Sequence, residues 1–92
     1  MPSPRREDTP LQRLGATIRH YRRQRRLTQR ALAARAGIDH MSLSQIERGR
    51  QNVTILNLFH IAGALEVPLS HLIQPLDDLL APSSPFPANL SP

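Results

Sequence analysis

Residues 27–50 read LTQRALAARAGIDHMSLSQIERGR, and two short helices joined by a tight turn are written into them. Thr28 is placed to cap a helix from Gln29 to about Arg35, because a threonine hydroxyl accepts from an N–H that the first helical turn leaves unpaired. Ala31 and Leu32, with Leu27 before them, form the buried side of that helix. Ala33, Ala34 and Ala36 are small enough to let neighbouring helices approach closely. Gly37 falls where the chain leaves the helix in a left-handed conformation, which glycine adopts at little cost. Ile38 plugs the turn into the core. Asp39 caps the next helix, about His40 to Arg48, with Leu43 and Ile46 facing inward and Gly49 as its stop.

The flanking sequence extends the same pattern. Residues 1–9 contain two prolines, alternating charge and no apolar residue after Met1, which predicts a disordered arm. Thr9 is a cap, and Pro10 suits the first helical position because its missing N–H is not needed there. Leu11, Leu14, Ile18 and Tyr21 then recur at three- and four-residue steps, one face of a first helix running to about Arg25. Arg13, Arg19, Arg23 and Arg26 lie on its other face. Beyond residue 50, Thr54 caps a fourth helix ending near Leu65. Its apolar set is Ile55, Leu58, Phe59, Ala62 and Leu65, flanked by Leu56 and Ile61. That is more than a one-sided helix needs, so this is the expected core helix. A fifth short helix, Ser70 to about Ile73, is anchored by Leu69 and Leu72 and ended by Pro75. Residues 81–92 hold four prolines and are expected to be disordered. The fold class is all-α: a compact five-helix domain over residues 10–80, between an arm (1–9) and a tail (81–92).

Charge divides the chain. All twelve basic residues are arginines between Arg5 and Arg50, set against four carboxylates in residues 1–50. Residues 51–92 carry three carboxylates and no cation. A basic half facing an acidic half implies a polyanion-binding face and a separate face for another partner. There is no cysteine, which excludes disulfides and thiolate metal sites. No apolar run approaches the roughly 20 residues of a membrane span. The opening MPSPRREDTP lacks the apolar core of a signal peptide, so the expected location is the cytoplasm, with the nucleoid. His20, His40, His60 and His71 show no metal-binding spacing, and neither a nucleophile elbow nor a glycine-rich phosphate loop occurs. No enzyme activity, metal or cofactor is expected.

The pattern LTQRALAARAGIDHMSLSQIERGR, followed by Asn52, ILNLFHIAGAL and VPLSHLI, resembles the lambda-repressor/Cro-type (Xre-like) helix-turn-helix family over about residues 11–74. The small size and the SQIERGR-x-N segment are also similar to restriction–modification controller proteins, a likeness shared by several antitoxins and phage repressors. The resemblance implies a homodimeric regulator of transcription that reads an inverted repeat in double-stranded DNA, with helix 40–48 in the major groove. In the family, a glutamine at the start of the second helix clamps a phosphate and supports the recognition helix. Gln29 holds that place, next to Thr28, and a helix N-terminus favours phosphate on physical grounds as well.

The recognition positions fall on His40, Met41, Ser42, Ser44 and Gln45, which lie beside the buried Leu43 and Ile46. Gln45 can present both amide atoms to an adenine edge, Ser44 can bond to a base edge or a phosphate, His40 can donate to guanine or to a phosphate, and Met41 can pack on a thymine methyl. The sequence departs here from family members with Arg, Gln or Thr at the first two recognition positions, which bears on the target sequence. Arg48, Arg50 and Asn52 look like phosphate contacts, and Arg5 and Arg6 of the arm add backbone or minor-groove contacts. Glu47 is a carboxylate in a last helical turn, where the macrodipole opposes it, so it needs a cationic partner. By resemblance that partner is Arg22 on the first helix.

The dimer surface is expected from Leu69, Leu72, Ile73, Leu76, Leu79 and Leu80, with Asn57 and His60, because a face without cations suits a protein rather than DNA. An alternative reading is an antitoxin that masks a toxin protein and regulates its own operon, with the tail SSPFPANLSP ordering on the toxin around Phe86.

Overall fold

Side-chain caps start each of the four longer helices. Thr9, Thr28, Asp39 and Thr54 accept from the N–H of Gln12, Ala31, Ser42 and Asn57, at 3.0 to 3.2 Å. Each such bond is worth about 1 kcal/mol. They open α1 (Pro10–Gln24), α2 (Gln29–Ala36), α3 (His40–Glu47) and α4 (Ile55–Leu65). A fifth helix, α5 (Leu69–Ile73), runs directly into a 3₁₀ turn, Gln74–Leu79. These elements come from a computed structural model that describes residues 9–80. The arm arginines Arg5 and Arg6 and the tail with Phe86 lie outside the described residues.

The turn between α2 and α3 is built on Gly37, at φ 70° and ψ 31°. Its N–H and that of Ile38 return to carbonyls of Ala34 and Ala33, which closes the C-terminus of α2. The next helix begins three residues later, so the two are held at a fixed angle by a very short connection.

Two expectations about the C-terminal part are corrected. α5 ends at Ile73, as expected, but the chain does not leave the helical course at Pro75. This proline sits early in the 3₁₀ turn, where a residue without an N–H costs no hydrogen bond, and the chain coils on to Leu79. The fifth helix also begins one residue earlier than Ser70, at Leu69.

The core joins Leu14 and Ile18 of α1, Leu32, Ala33 and Ala36 of α2, Leu43 and Ile46 of α3, four residues of α4, and Leu72 of α5. From α4 these are Leu58, Ile61, Ala62 and Leu65, spaced as one helical stripe. Ile61 is therefore central, where a flanking place was expected. Ile55, Leu56 and Phe59 are left 65%, 60% and 60% exposed. The apolar sequence of α4 contains two overlapping stripes, and packing against α1 and α2 selects one. Leu72 is wholly buried, so it cannot serve the dimer surface expected of it. Leu69, Ile73 and Leu76 are partly covered by the core, and Leu80 is exposed.

One close approach sets the position of α3. Gly15 is buried in α1. A Cβ placed on it would lie 2.4 Å from the carbonyl oxygen of Ile46 and 2.5 Å from that of Glu47. Glycine inside a helix costs about 1 kcal/mol relative to alanine. Here the missing side chain lets α1 touch the backbone at the end of α3. No single helix of the described residues is long and apolar enough to cross a membrane.

Candidate nucleic-acid interface

The end of α3 is fastened to α1 and α2 through one carboxylate. The Glu47 side chain has no solvent exposure. Arg22 Nε donates to Glu47 Oε2 at 2.7 Å, and Arg22 Nη2 donates to Oε1 at 3.1 Å. This two-pronged geometry is the strongest form of a guanidinium–carboxylate contact. Gln29 Nε2 donates to Oε1 at 3.0 Å, and Arg19 Nε stands 3.8 Å from the same oxygen. The remaining arm of Arg22, Nη1, donates to the carbonyl of Leu27 at 2.8 Å, just before α2. Two guanidinium groups thus offset both the burial of Glu47 and its unfavourable place in the α3 dipole. No buried side-chain nitrogen or oxygen among the described residues lacks a hydrogen-bond partner.

Gln29 has its amide turned inward to Glu47. The second amide N–H and the unpaired backbone N–H groups of the first α2 turn are what it leaves for an anion. The Thr28 hydroxyl is already used as the cap of α2.

With Leu43 and Ile46 inward, α3 presents its other side to solvent. Met41 is 66% exposed. His40, Ser42, Ser44 and Gln45 are partly exposed. Arg48, Arg50 and Asn52 are exposed beyond the helix end. The N–H groups of Arg48 and Arg50 bond to the carbonyls of Ser44 and Gln45, so the two arginines are anchored to the last turn of α3. Asn52 accepts from the Val53 N–H with its side-chain carbonyl oxygen, a bond that does not use its amide N–H donors. The residues picked from the sequence between Thr28 and Asn52 therefore all belong to the α2–α3 unit or its immediate exit.

Sequence reasoning missed three residues. Gly15 carried no assigned role. Arg19 is a second cation on Glu47, and its one signal is the three-residue step to Arg22. Arg25 donates to the carbonyls of Leu65 and Glu66 at 2.8 and 3.1 Å, tying the end of α1 to the end of α4. Among the described residues, no cluster of three or more His, Cys, Asp or Glu could hold a metal ion.

The profile of the HTH_3 helix-turn-helix family matches residues 18–72, from the middle of α1 through most of α5. The chain belongs to this family. An HTH-type transcriptional regulator of Sinorhizobium fredii, y4dJ, is 38% identical over 65 residues, 71% of this chain and 84% of that protein. The control protein C.MunI of a Mycoplasma species is 32% identical over 66 residues, 71% of this chain and 89% of that protein. Among solved structures, the restriction-modification controller protein C.AhdI of Aeromonas hydrophila superposes with a TM-score of 0.67 at 32% identity. The match covers 67% of this chain and 94% of that one. This HTH_3 protein is a DNA-binding regulator of transcription, all-α in fold, with its helix-turn-helix at α2–α3.

Proposed function

We propose that this HTH_3 protein binds an inverted-repeat operator as a homodimer, with α3 of each subunit in a major groove. The observation that carries the reading is the Glu47 junction. It fixes α3 on a scaffold of two other helices while leaving Met41, Ser44 and Gln45 pointing away from the core. Gln45 reads an adenine, Ser44 and His40 bond to base edges or phosphates, and Met41 meets a thymine methyl. Gln29, Arg48, Arg50 and Asn52 hold the backbone and set the register. The likeness to controller proteins makes the upstream region of its own gene the natural first target.

In vitro selection from a random duplex pool tests this reading. An enriched inverted repeat with half-sites about one helical turn apart is the expected result. Gln45→Ala should lose the preference at one position of each half-site, by about 1–3 kcal/mol of discrimination. Selection that enriches no repeat overturns it.

For the subunit contact we assign Ile55, Leu56 and Phe59 of α4, in addition to the half-covered Leu69 and Ile73 expected from the sequence. Three large apolar side chains, each more than half bare on one short segment, are unfavourable in water and favour a partner surface. No arginine or lysine lies on α4, so this surface does not compete for DNA. Phe59→Glu should convert the dimer to a folded monomer in sedimentation and weaken binding to the full repeat far more than to a half-site. A Phe59→Glu protein that stays dimeric removes α4 from the contact.

A further inference from the structure

The corner between α1 and α2 carries charge at a cost to the backbone. α1 closes with the N–H of Arg26 bonded to the Arg23 carbonyl and that of Leu27 to the Arg22 carbonyl. This closure places the residue after the cap in the left-handed region, a position usually held by glycine. Here it is Arg26, at φ 57°. The same position after α2 and after α3 is a glycine, Gly37 and Gly49. Among the described residues, Glu66 is the other non-glycine residue in this conformation, and its carbonyl is tied down by Arg25.

The Arg26 side chain is exposed and has no hydrogen bond or ion pair among the described residues. The same holds for its exposed neighbours Arg23 and Arg30. Other arginines on this part of α1 are engaged: Arg19 and Arg22 on Glu47, and Arg25 on the end of α4. The carboxylate at this junction, Glu47, is already saturated by those groups. Arg26 is three residues from Gln29, which touches the last residue of α3. Three exposed arginines on either side of one helix–helix corner, none paired among the described residues, suit a polyanion. Strain retained at an exposed residue points to a role for its side chain.

We propose that Arg26, with Arg23 and Arg30, contacts the DNA phosphates beside the segment read by α3 and adds sequence-independent affinity. The proposal rests on α3 being the recognition helix, and it makes Arg26 a binding residue that reads no base.

The test is a salt titration of the full chain on its selected duplex and on a scrambled duplex. Arg26→Gly should reduce the slope of log affinity against log salt by about 0.9, one phosphate contact. Near 0.1 M salt the two duplexes should each be bound roughly eightfold more weakly, with discrimination between them unchanged. The same variant should melt a few degrees higher than the parent, because glycine relieves the left-handed strain. Arg26→Lys should restore the slope without the gain in melting temperature. A wild-type slope in Arg26→Gly overturns the proposal. A parent protein that binds both duplexes equally overturns the recognition-helix reading, and the slope comparison still decides the role of Arg26.

Discussion

Glu47→Ala is expected to lower folding stability by about 3–5 kcal/mol, the usual cost of removing one partner of a buried ion pair. The carboxylate is fully buried and accepts from Arg22 and Gln29, with Arg19 nearby. Alanine removes every one of these contacts. Arg22 is then left with a side chain only 12% exposed and with the Leu27 carbonyl as its remaining partner. A small domain has about 5–15 kcal/mol of stability in all, so the loss is a large part of the total. For a domain of this size each kcal/mol moves the melting temperature by about 4–8 °C, so the drop should exceed ten degrees by circular dichroism. DNA binding should weaken beyond the loss explained by unfolding, because α3 loses its tie to α1 and α2. A melting temperature close to the parent's would show that the junction contributes little.

The second large effect is expected from Gly15→Ala, and its sign is opposite to the ordinary one. Within a helix the change normally stabilises by about 1 kcal/mol. Here the new methyl would meet the backbone carbonyls of Ile46 and Glu47 at 2.4 and 2.5 Å. Backbone oxygens cannot rotate aside as a side chain does, so α3 as a whole must move off α1. Overpacking of this kind costs about 1–3 kcal/mol, and the upper end is expected because the displaced atoms are main chain. The move also draws Glu47 away from Arg22. A lowered urea midpoint is the expected result. The two substitutions should be less than additive when combined, since both act on the α1–α3 contact. Gly15→Ala with the parent's midpoint, or a higher one, would show that the two helices separate at no cost.

Both sites touch the same question, how α3 is aimed. Its outward residues lie on one turn and a half of helix, and in the proposed DNA complex a small rotation would carry Gln45 or Ser44 out of reach of a base edge. The Arg22–Glu47–Gln29 contacts and the Gly15 approach act on the C-terminal end of α3, while Asp39 caps its start. The aim of the helix is therefore set at both ends, by contacts of which only Gln29 also belongs to the residues proposed to meet DNA.

The sequence by itself determined the number and order of the five helices. It also determined the caps at Thr9, Thr28, Asp39 and Thr54, the turn at Gly37, and the buried places of Leu43 and Ile46 that turn their neighbours outward. These follow from bonds between residues three or four apart, or from the left-handed preference of glycine, so a short window of sequence contains the whole cause. The contact of Arg22 with Glu47 spans 25 positions. No local pattern prefers Arg22 to Arg19 or Arg23, and the pairing was singled out through family resemblance alone.

Tertiary structure alone decided the rest. α4 offered two apolar stripes, and the neighbouring helices took the one through Ile61, leaving Ile55, Leu56 and Phe59 in solvent. Leu72 went to the core for the same reason. Pro75 entered a 3₁₀ turn because that early position has no use for an N–H. Gly15 gained its meaning from carbonyls more than 30 positions away, brought to its surface only when α1 and α3 cross. Periodicity states which residues can share a face. Which face is buried, and what it meets there, depends on helices distant in sequence, because burial is a property of the assembled core.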